Sequence, residues 1–305
     1  MIFSLIHRFR RSVAYRRAQD DWTRSAVEVA FGQMNNEVVI LQDLNITLKR
    51  GEHISILKGY QYALNLKRRL NASFELNGSQ LHLKFSEFEF NINSAEELFI
   101  ANEIFVNRCY EFHSSNKATV IDIGMNVGMA SLYFANREDV LEVYSFEPFE
   151  PTYKLGILNF KLNFKTYGKI HSHNIGLGGN AREIEVSYSS ENKGQVGMMG
   201  TELIKSKVYD LSKETLRIES AVHYFETIVK NAVDTDLIVK MDCEGAEFEI
   251  IPALKEASIL GKIKLLMMEW HSEPESLIVL LKSEGFMLVR NNHSENIGMI
   301  YAIRS

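Results

Sequence analysis

The sequence predicts an α/β fold: a mostly parallel sheet flanked by helices, with an antiparallel final strand and a β-rich cap before it. Three observations lead to this prediction. From residue 119 onward, apolar strand-like runs alternate five times with helix-like segments. Two strand-like runs, 286–290 and 297–303, then lie close enough in sequence to pair as a hairpin. Before residue 93 the chain favours short strands, which divides it into a basic amphipathic segment (1–35), a small β-rich cap (36–93) and an α/β domain (94–305).

Composition limits the classes of function. The chain has 305 residues, of which 46% are hydrophobic, enough for one large core or two modest ones. A net charge of -5 and a pI near 6.0 argue against a general nucleic-acid binder. The two cysteines, Cys109 and Cys243, cannot form a disulfide framework or a cysteine zinc site, which favours a reducing, cytoplasmic setting. No apolar run approaches the length of a membrane span.

The first 20 residues carry five arginines and no acid until Asp20. Their apolar residues recur at helical spacing, namely Ile2, Leu5, Ile6, Phe9 and Val13. One interpretation is an interfacial helix on anionic lipid, which would make the protein membrane-associated. The other, which we favour, is a helix that covers the domain with a solvated basic face. A signal peptide is excluded because the arginines interrupt the apolar stretch.

The cap is predicted to contain strands at 38–41, 44–48, 53–57, 74–76 and 81–85. Asn77 and Gly78 form the strongest hairpin signal in the chain, because this pair suits a two-residue turn. Ser94 is then predicted to cap a helix that runs to about Tyr110, with Glu96 and Glu97 in its first turn.

The α/β domain begins with a strand, a glycine turn and a helix over 119–134, in which Gly124 and Gly128 allow a ligand to approach the helix start. The later elements are predicted as strands at 141–146, 169–174, 183–188, 237–242 and 263–271, and helices at 151–164, 223–232 and 274–283. We expect a mobile loop at 194–200 and find little periodicity at 201–220.

The turn indicates the kind of ligand. Glu147 ends the second strand about twenty residues after the glycines, where nucleoside-binding sheets place a carboxylate for ribose hydroxyls. Asn126 stands where a dinucleotide loop needs glycine. A nucleoside without phosphates is therefore favoured, and S-adenosylmethionine is the common one. The loop at 174–179, beginning with Asn174, is placed to flank its adenine.

Polar groups at the strand ends indicate chemistry. Ligands bind where strand order reverses, so Asp122 and Asp242 should border one cleft, with Glu269 and His271 one strand further. We predict Asp242, His271 and Glu269 as catalytic residues, with His271 as the base, although a lone histidine is more often structural.

The same strand ends raise the question of metal binding. Glu244 and Glu247 lie in the first turn of the predicted helix after Asp242, where negative charge stabilises the helix N-terminus. Alternatively, Glu244 joins Asp242 and Glu269 in binding a divalent cation such as Mg²⁺. Nothing in the sequence fixes a metal geometry, so no metal ligand is assigned.

Three segments resemble the signatures of the FkbM family of S-adenosylmethionine-dependent methyltransferases. They are residues 120–128, the Phe-Glu-Pro at 146–148, and residues 239–247, which end in Asp-Cys-Glu-Gly-Ala-Glu. Residues 103–105 and Tyr110 also look like the segment that precedes the family's first strand, and the resemblance covers about residues 95–303. Cys243 stands where the family more often has an aliphatic residue.

The resemblance implies a Rossmann-like class I methyltransferase sheet and O-methylation of a small molecule or sugar hydroxyl. It places Asp122, Gly124, Asn126 and Gly128 at the methionine end of the cofactor and Glu147 on its ribose. The partner expected is a small-molecule or glycan acceptor, with no specific nucleic acid, and the oligomeric state is left open.

Two alternative functions stay open, namely RNA 2′-O-methylation and a non-catalytic scaffold. Amino-group methylation is disfavoured because the chain has no adjacent prolines after the fourth strand. RNA 2′-O-methylation is a weak alternative, supported only by Lys240. A non-catalytic scaffold with the same fold would be expected to have lost cofactor positions, whereas the glycines and both acids are present.

Overall fold

The computed structural model describes residues 38–188, 212–293 and 297–304. The predicted basic segment at 1–35 and the loop at 194–200 lie outside these ranges. Within these ranges the chain divides into two compact units, which we call the N-terminal unit (residues 38–109 with 161–163) and the C-terminal unit (110–160 with 164–188, 212–293 and 297–304). Among the helices in the described ranges, none has the length and apolar character needed to cross a membrane.

The N-terminal unit contains two small antiparallel sheets with helices between and after them. Its elements are β1 (Val38–Leu41), β2 (Ile46–Lys49), α1 (Arg50–Lys58), α2 (Tyr60–Leu70), β3 (Ser73–Asn77), β4 (Gln80–Phe85), β5 (Phe88–Ile92), α3 (Ala95–Ala101) and a π-helix (Asn102–Val106). β1 pairs with β2, and β3, β4 and β5 form the second sheet. Four aromatic rings, of Phe85, Phe88, Phe90 and Phe105, pack with centroids 4.8 to 6.0 Å apart and join this sheet to the π-helix.

The predicted strand at 53–57 is wrong, because these residues lie in α1. The β-branched Ile54 and Ile56 favour a strand, but the buried positions are His53, Ile56 and Leu57. That spacing is the period of a helix rather than the alternation of a strand. The His53 ring is held at both nitrogens, by the backbone of Lys49 at 3.0 Å and by the carbonyl of Gly78 at 2.9 Å.

The predicted hairpin and helix cap are confirmed. Asn77 pairs with Gln80, so the two turn residues are Gly78 and Ser79, one position later than predicted. Only the glycine has a positive φ, +61°, as a type II′ turn requires. The Ser94 hydroxyl accepts from the Glu97 amide at 3.2 Å, which satisfies a free N–H of α3.

The C-terminal unit is built on a seven-stranded sheet in the order β14-β15-β13-β12-β6-β7-β8. Its elements are β6 (Ala118–Ile123), α4 (Met129–Ala135), β7 (Val140–Phe146), α5 (Glu150–Leu162), α6 (Phe164–Tyr167), β8 (Ile170–His173), β9 (Gly176–Gly178), β10 (Arg182–Tyr188), β11 (Ser212–Ser220), α7 (Ala221–Asn231), β12 (Asp236–Met241), α8 (Glu247–Glu256), β13 (Ile263–His271), α9 (Glu275–Ser283), β14 (Met287–Asn292) and β15 (Ile297–Ile303). The strands from β13 to β8 are parallel, and β15 runs antiparallel to both of its neighbours. The predicted Rossmann-like sheet with an antiparallel final strand is confirmed.

Strand order reverses between β6 and β12. These strands are hydrogen-bonded neighbours although they are far apart in the chain, with Val120 paired to Ile238. All six residues of β6 are buried, as expected for a central parallel strand covered on both faces. The carboxyl ends of β6 and β12 therefore lie side by side at the position where α/β sheets bind ligands.

A separate three-stranded sheet is only partly predicted by the sequence. β10 matches a predicted strand, whereas β9 lies in the expected loop and β11 lies in the stretch without periodicity. β11 pairs antiparallel with β10 and parallel with β9. Leu216 and Ile218 of β11 are buried, packed near Phe149 and Val186. Two apolar side chains in a charged strand give too weak an alternation to be recognised from sequence.

Candidate active site

The loops after β6 and β12 touch at Gly124. An ideal Cβ on Gly124 would lie 1.7 Å from the carbonyl oxygen of Asp242, and the φ of Gly124 is +79°. The amide of Asp242 donates to the carbonyl of Ile123 at 3.0 Å. Glycine is therefore required here for close approach as well as for backbone conformation. The carboxyl ends of β6 and β12 therefore meet, as the sequence predicted for the strands that carry Asp122 and Asp242.

Glu147 connects the loops after β6 and β7. One carboxylate oxygen accepts from the Asn126 amide at 2.9 Å, and the other accepts from the Phe149 amide at 3.1 Å. Asn126 has a φ of +51°, and its own side chain accepts from the Val127 amide at 2.7 Å. Burial raises the pKa of Glu147 to about 7, and the two amide hydrogen bonds oppose this shift.

Gly128 and Asn174 support the same loops. Gly128 has a φ of +83° and precedes α4, and a Cβ on it would lie 2.5 Å from the Phe160 ring. The side-chain amide nitrogen of Asn174 donates to the carbonyls of Glu147 and Pro148 at 2.9 and 3.2 Å. Asn174 therefore fixes the backbone that carries Glu147.

Asp122 lies beneath the loop in a buried polar network. Its register partner on β12 is Lys240, whose ammonium lies 3.1 Å from Oδ1 of Asp122. The Ser131 hydroxyl donates to the other carboxylate oxygen at 2.6 Å and also contacts the Ser145 hydroxyl at 2.8 Å. Lys240 further donates to the carbonyls of Ile123 and Gly124. Burial lowers the pKa of Lys240, but Asp122 and then Asp242 outweigh it and raise the pKa above its ordinary value.

Lys240 is thus a site residue, although in the sequence it supports only the RNA alternative. Its side chain is 3% exposed and committed to Asp122 and to the glycine loop. The signal that could have identified it is its place two residues before Asp242, which puts both on one face of the strand. Its partner follows only from the register of β12 with β6.

Asp242, Glu244 and His271 converge at the ends of β12 and β13. Nε2 of His271 lies 3.5 Å from Oε2 of Glu244 and 4.0 Å from Oδ1 of Asp242. The His271 side chain is 11% exposed, whereas about a third of each carboxylate side chain remains exposed. Two of the three predicted catalytic residues, Asp242 and His271, are therefore close together.

Glu269 occupies a different position. It lies on the same face of β13 as His271, two residues earlier, and its Oε1 is 3.7 Å from Nδ1 of His293. Its charge still acts on Asp242, whose pKa is raised to about 6 by burial first and by Glu269 second.

Glu247 orients His271, a role that the sequence alone does not reveal. Its carboxylate is completely buried, and it accepts from the amides of Gly245 and His271, both at 2.8 Å. The same Oε1 atom lies 3.4 Å from Nδ1 of His271. Nδ1 of the imidazole therefore lies beside Glu247, and Nε2 faces Asp242 and Glu244.

The electrostatics of this group reflect an excess of carboxylates. Burial raises the pKa of Glu244 to about 8, with His271 opposing and Asp242 adding to the shift. Burial alone lowers the pKa of His271, but the neighbouring Glu247, Glu244 and Asp242 carboxyl groups raise it to about 10. The positive charge of one imidazolium therefore compensates the negative charge of several carboxylates.

Known proteins match the part of the chain that carries this site. The methyltransferase FkbM domain matches residues 122–288. Methyltransferase sdnD of Sordaria araneosa is 25% identical over 227 residues, covering 66% of this chain and 86% of that protein. Methyltransferase 1 of Beauveria bassiana is 22% identical over 216 residues, with the same coverage of 66% and 86%. The crystal structure of methyltransferase FkbM from Methylobacillus flagellatus KT aligns at 13% identity and a TM-score of 0.42, over 66% of this chain and 47% of that one.

Proposed function

The chain belongs to the FkbM methyltransferase family and is an S-adenosylmethionine-dependent methyltransferase, and from this we propose that it methylates a hydroxyl group of a sugar, glycan or small metabolite. The observation that carries the proposal is the convergence of Asp242, Glu244 and His271 beside the glycine loop. A hydroxyl must lose its proton when it accepts a methyl group, so an O-methyltransferase needs proton-accepting or charge-stabilising groups at this place.

The loop residues are suited to hold the cofactor, which supplies an activated methyl group when bound. Gly124, Asn126 and Gly128 all have positive φ, which shapes the turn at the start of α4, where the methionine end would bind. Glu147 uses one lone pair of each oxygen on backbone amides, which leaves acceptor capacity for ribose hydroxyls. The Asp122–Lys240 pair holds this loop from below, so it is preorganised for an in-line transfer.

Asp242 is our candidate for the group that accepts the acceptor's proton. Its carboxylate is a third exposed, and its backbone contacts the glycine loop directly. His271, predicted from sequence as the base, has a pKa raised to about 10, which favours the protonated ring at neutral pH. Its Nε2 lies 4.0 Å from Oδ1 of Asp242, where it would stabilise the negative charge that develops on an acceptor oxygen.

The RNA alternative lacks comparable support. Lys240, the residue that suggested it, is buried and paired with Asp122, so its ammonium is committed within the fold. We therefore keep a small-molecule or glycan acceptor as the proposal. We also propose a cytoplasmic location, with membrane contact through residues 1–20 as the alternative, which sedimentation with anionic and neutral vesicles would test.

The test is methyl transfer from S-adenosylmethionine to a panel of sugars, lipid-linked glycans, hydroxylated metabolites, matched amines and RNA. Products are detected by mass spectrometry, and the methylated atom is identified by NMR. We expect transfer to hydroxyl acceptors, and we expect Asp242→Asn to lower kcat by about 10²–10⁴-fold while calorimetry shows retained cofactor binding. Glu256→Gln, an exposed acid at the end of α8, is the matched control. Transfer to amines alone, or full activity of Asp242→Asn, would contradict the proposal.

A further inference from the structure

We propose that Asp242, Glu244 and His271 bind a divalent transition-metal cation beside the cofactor loop. Each residue offers a ligand atom, and these atoms all lie within 4.8 Å of one another. Two of the separations, 3.5 and 4.0 Å, are measured from Nε2 of His271. Ligands that bind one cation at about 2.1 Å are roughly 3 to 3.5 Å apart, so small side-chain shifts would complete the site.

The orientation of His271 is an independent observation that favours a metal ligand. Metal-binding histidines usually donate their other ring nitrogen to a carboxylate, which fixes both tautomer and ring direction. Glu247 occupies that position, 3.4 Å from Nδ1, and it is itself fixed by two backbone amides. Glu247 is completely buried beside Nδ1, where a small rotation of the ring would form this hydrogen bond, and Nε2 faces the two carboxylates.

The local charge also favours a cation. Three carboxyl groups surround one imidazole: Glu244 and Asp242 lie 3.5 and 4.0 Å from Nε2 of His271, and Glu247 lies 3.4 Å from Nδ1. The nearby ammonium of Lys240 is held by Asp122 and by the loop carbonyls. A bound cation would compensate carboxylates that are otherwise brought together at an electrostatic cost.

The ligand set differs from the one that the sequence suggests, in which Asp242, Glu244 and Glu269 bind Mg²⁺. His271 takes the place of Glu269, which pairs instead with His293. Two carboxylates and one imidazole suit a cation such as Mn²⁺, Fe²⁺ or Zn²⁺ better than Mg²⁺, which prefers oxygen. Binding of the cation does not depend on the acceptor. Its catalytic role rests on the proposed function. With the cation bound, the cation instead of His271 would stabilise the charge on the acceptor hydroxyl oxygen, and the second oxygen of Asp242 would accept the proton.

The binding test uses Mn²⁺ as the probe on the full chain after treatment with a chelator. Electron paramagnetic resonance follows the loss of free Mn²⁺, calorimetry gives the affinity, and Zn²⁺ and Mg²⁺ are compared. We expect one Mn²⁺ site. Asp242→Asn and His271→Gln should each lower the Mn²⁺ affinity by at least about 10-fold to 100-fold, the loss that is typical when a residue supporting a metal ligand is removed. Glu247→Gln should weaken it by about 10-fold to 100-fold, because it releases the ring without removing a ligand.

Controls separate metal loss from misfolding. His113→Gln changes an exposed histidine and should leave Mn²⁺ affinity unchanged. Thermal unfolding and S-adenosylhomocysteine binding identify variants that fold. Failure of the wild-type chain to bind Mn²⁺ or Zn²⁺, or equal binding by the folded Asp242→Asn and His271→Gln variants, overturns the site.

The catalytic role of the cation is tested separately from its binding. With a hydroxyl acceptor in hand, chelation should lower turnover by at least about 10-fold, and added Mn²⁺ should restore it. Bound metal with turnover that is insensitive to chelation would overturn the role alone. Transfer to amines alone would overturn the proposed function while leaving the metal site in place.

Discussion

The pairing of Lys240 with Asp122 shows how two single residues support the cofactor loop. Both side chains are almost completely buried, at 3% and 0% exposure, and their strands are in register. Desolvation of each charge is costly, and attraction between the two charges alone does not offset this cost. Ser131 also donates to the Asp122 carboxylate, and two loop carbonyls accept from the Lys240 ammonium. Loss of one partner should therefore cost far more than loss of an exposed ion pair, which is worth about 0 to 1 kcal/mol.

Lys240→Met should lower the free energy of unfolding by about 3–5 kcal/mol, because Asp122 would stay buried without a counter-charge. Urea unfolding measures the change. Lys264→Met, at an exposed position of β13, is the control and should stay within about 0.5 kcal/mol of wild type. Addition of Asp122→Asn to Lys240→Met should recover part of the loss. A single variant as stable as the control would show that the buried pair contributes little.

Glu147 should make stability depend on pH. Its pKa rises from the ordinary value of 4.5 to about 7 in the folded protein. The folded state therefore holds this proton more tightly, so this contribution favours folding at low pH and is lost as pH rises from about 4.5 to about 7. Its upper limit is roughly 3 kcal/mol, because a pKa difference of one between the folded and unfolded states corresponds to about 1.4 kcal/mol.

The measurement is the free energy of unfolding at about pH 5 and about pH 8 for wild type and Glu147→Gln. Glutamine cannot titrate, so the loss on going to higher pH should be smaller in the variant. The variant should also be less stable at low pH, because one side-chain oxygen cannot accept both the Asn126 and Phe149 amides. Identical pH profiles would refute the link to Glu147.

The residues that can be assigned from sequence differ in a physical way from those that cannot. Asp122, Glu147 and Asp242 stand out because each follows an apolar run that predicts a buried strand. Lys240 and Glu247 do not, because their partners depend on register and on a backbone amide of another strand. Strand ends can be located from local pattern, whereas the identity of a partner requires the topology.

At the scale of elements, the contact between the loops after β6 and β12 should be the most sensitive to a single methyl group. Gly124→Ala would place a Cβ 1.7 Å from the Asp242 carbonyl at a φ of +79°. We expect lower thermal stability and weaker S-adenosylmethionine binding, because backbone must move at both strand ends.

Gly261→Ala is the matched control for that substitution. A Cβ there would have no neighbour within 4 Å, and Gly261 is not among the glycines with positive φ. We expect wild-type cofactor affinity by calorimetry and unchanged or slightly higher stability. Equal cofactor affinity in the two variants would show that the loops tolerate displacement and that close approach at Gly124 is not required.

Most elements of the C-terminal unit could be predicted because its central strands are largely apolar and have a glycine or a carboxylate at or near their carboxyl ends. β6, β12 and β13 all have this form. Prediction failed where the local signal was ambiguous or weak. α1 contains β-branched residues that favour a strand, and β11 buries only two apolar side chains among its described positions. In both cases packing rather than propensity decides the structure.

At the scale of the whole molecule, the matched family domain covers residues 122–288, so the family assignment applies to the α/β part of the chain. Acceptor choice in such folds is set by surrounding loops and added segments rather than by the sheet. The acceptor is therefore a proposal, while the fold and cofactor follow from the family.

The net charge of the whole chain predicts how it should bind RNA. The protein carries -5, and five arginines are concentrated in residues 1–20, so the remainder is more acidic than the total. Neutralisation of phosphates by Lys and Arg supplies most non-specific RNA affinity, and that affinity falls steeply with salt. We expect only weak tRNA binding in fluorescence anisotropy at about 50 mM salt, and its disappearance at about 200 mM.

A variant with Arg8, Arg10, Arg11, Arg16 and Arg17 replaced by glutamine should lose the remaining tRNA binding. The reason is that, within the described ranges, the longest uninterrupted basic run is the short one at 67–69. Fluorescence anisotropy at the same two salt concentrations compares this variant with wild type. Tight binding by the variant at the higher salt, together with methyl transfer to RNA, would replace the small-molecule proposal with an RNA substrate.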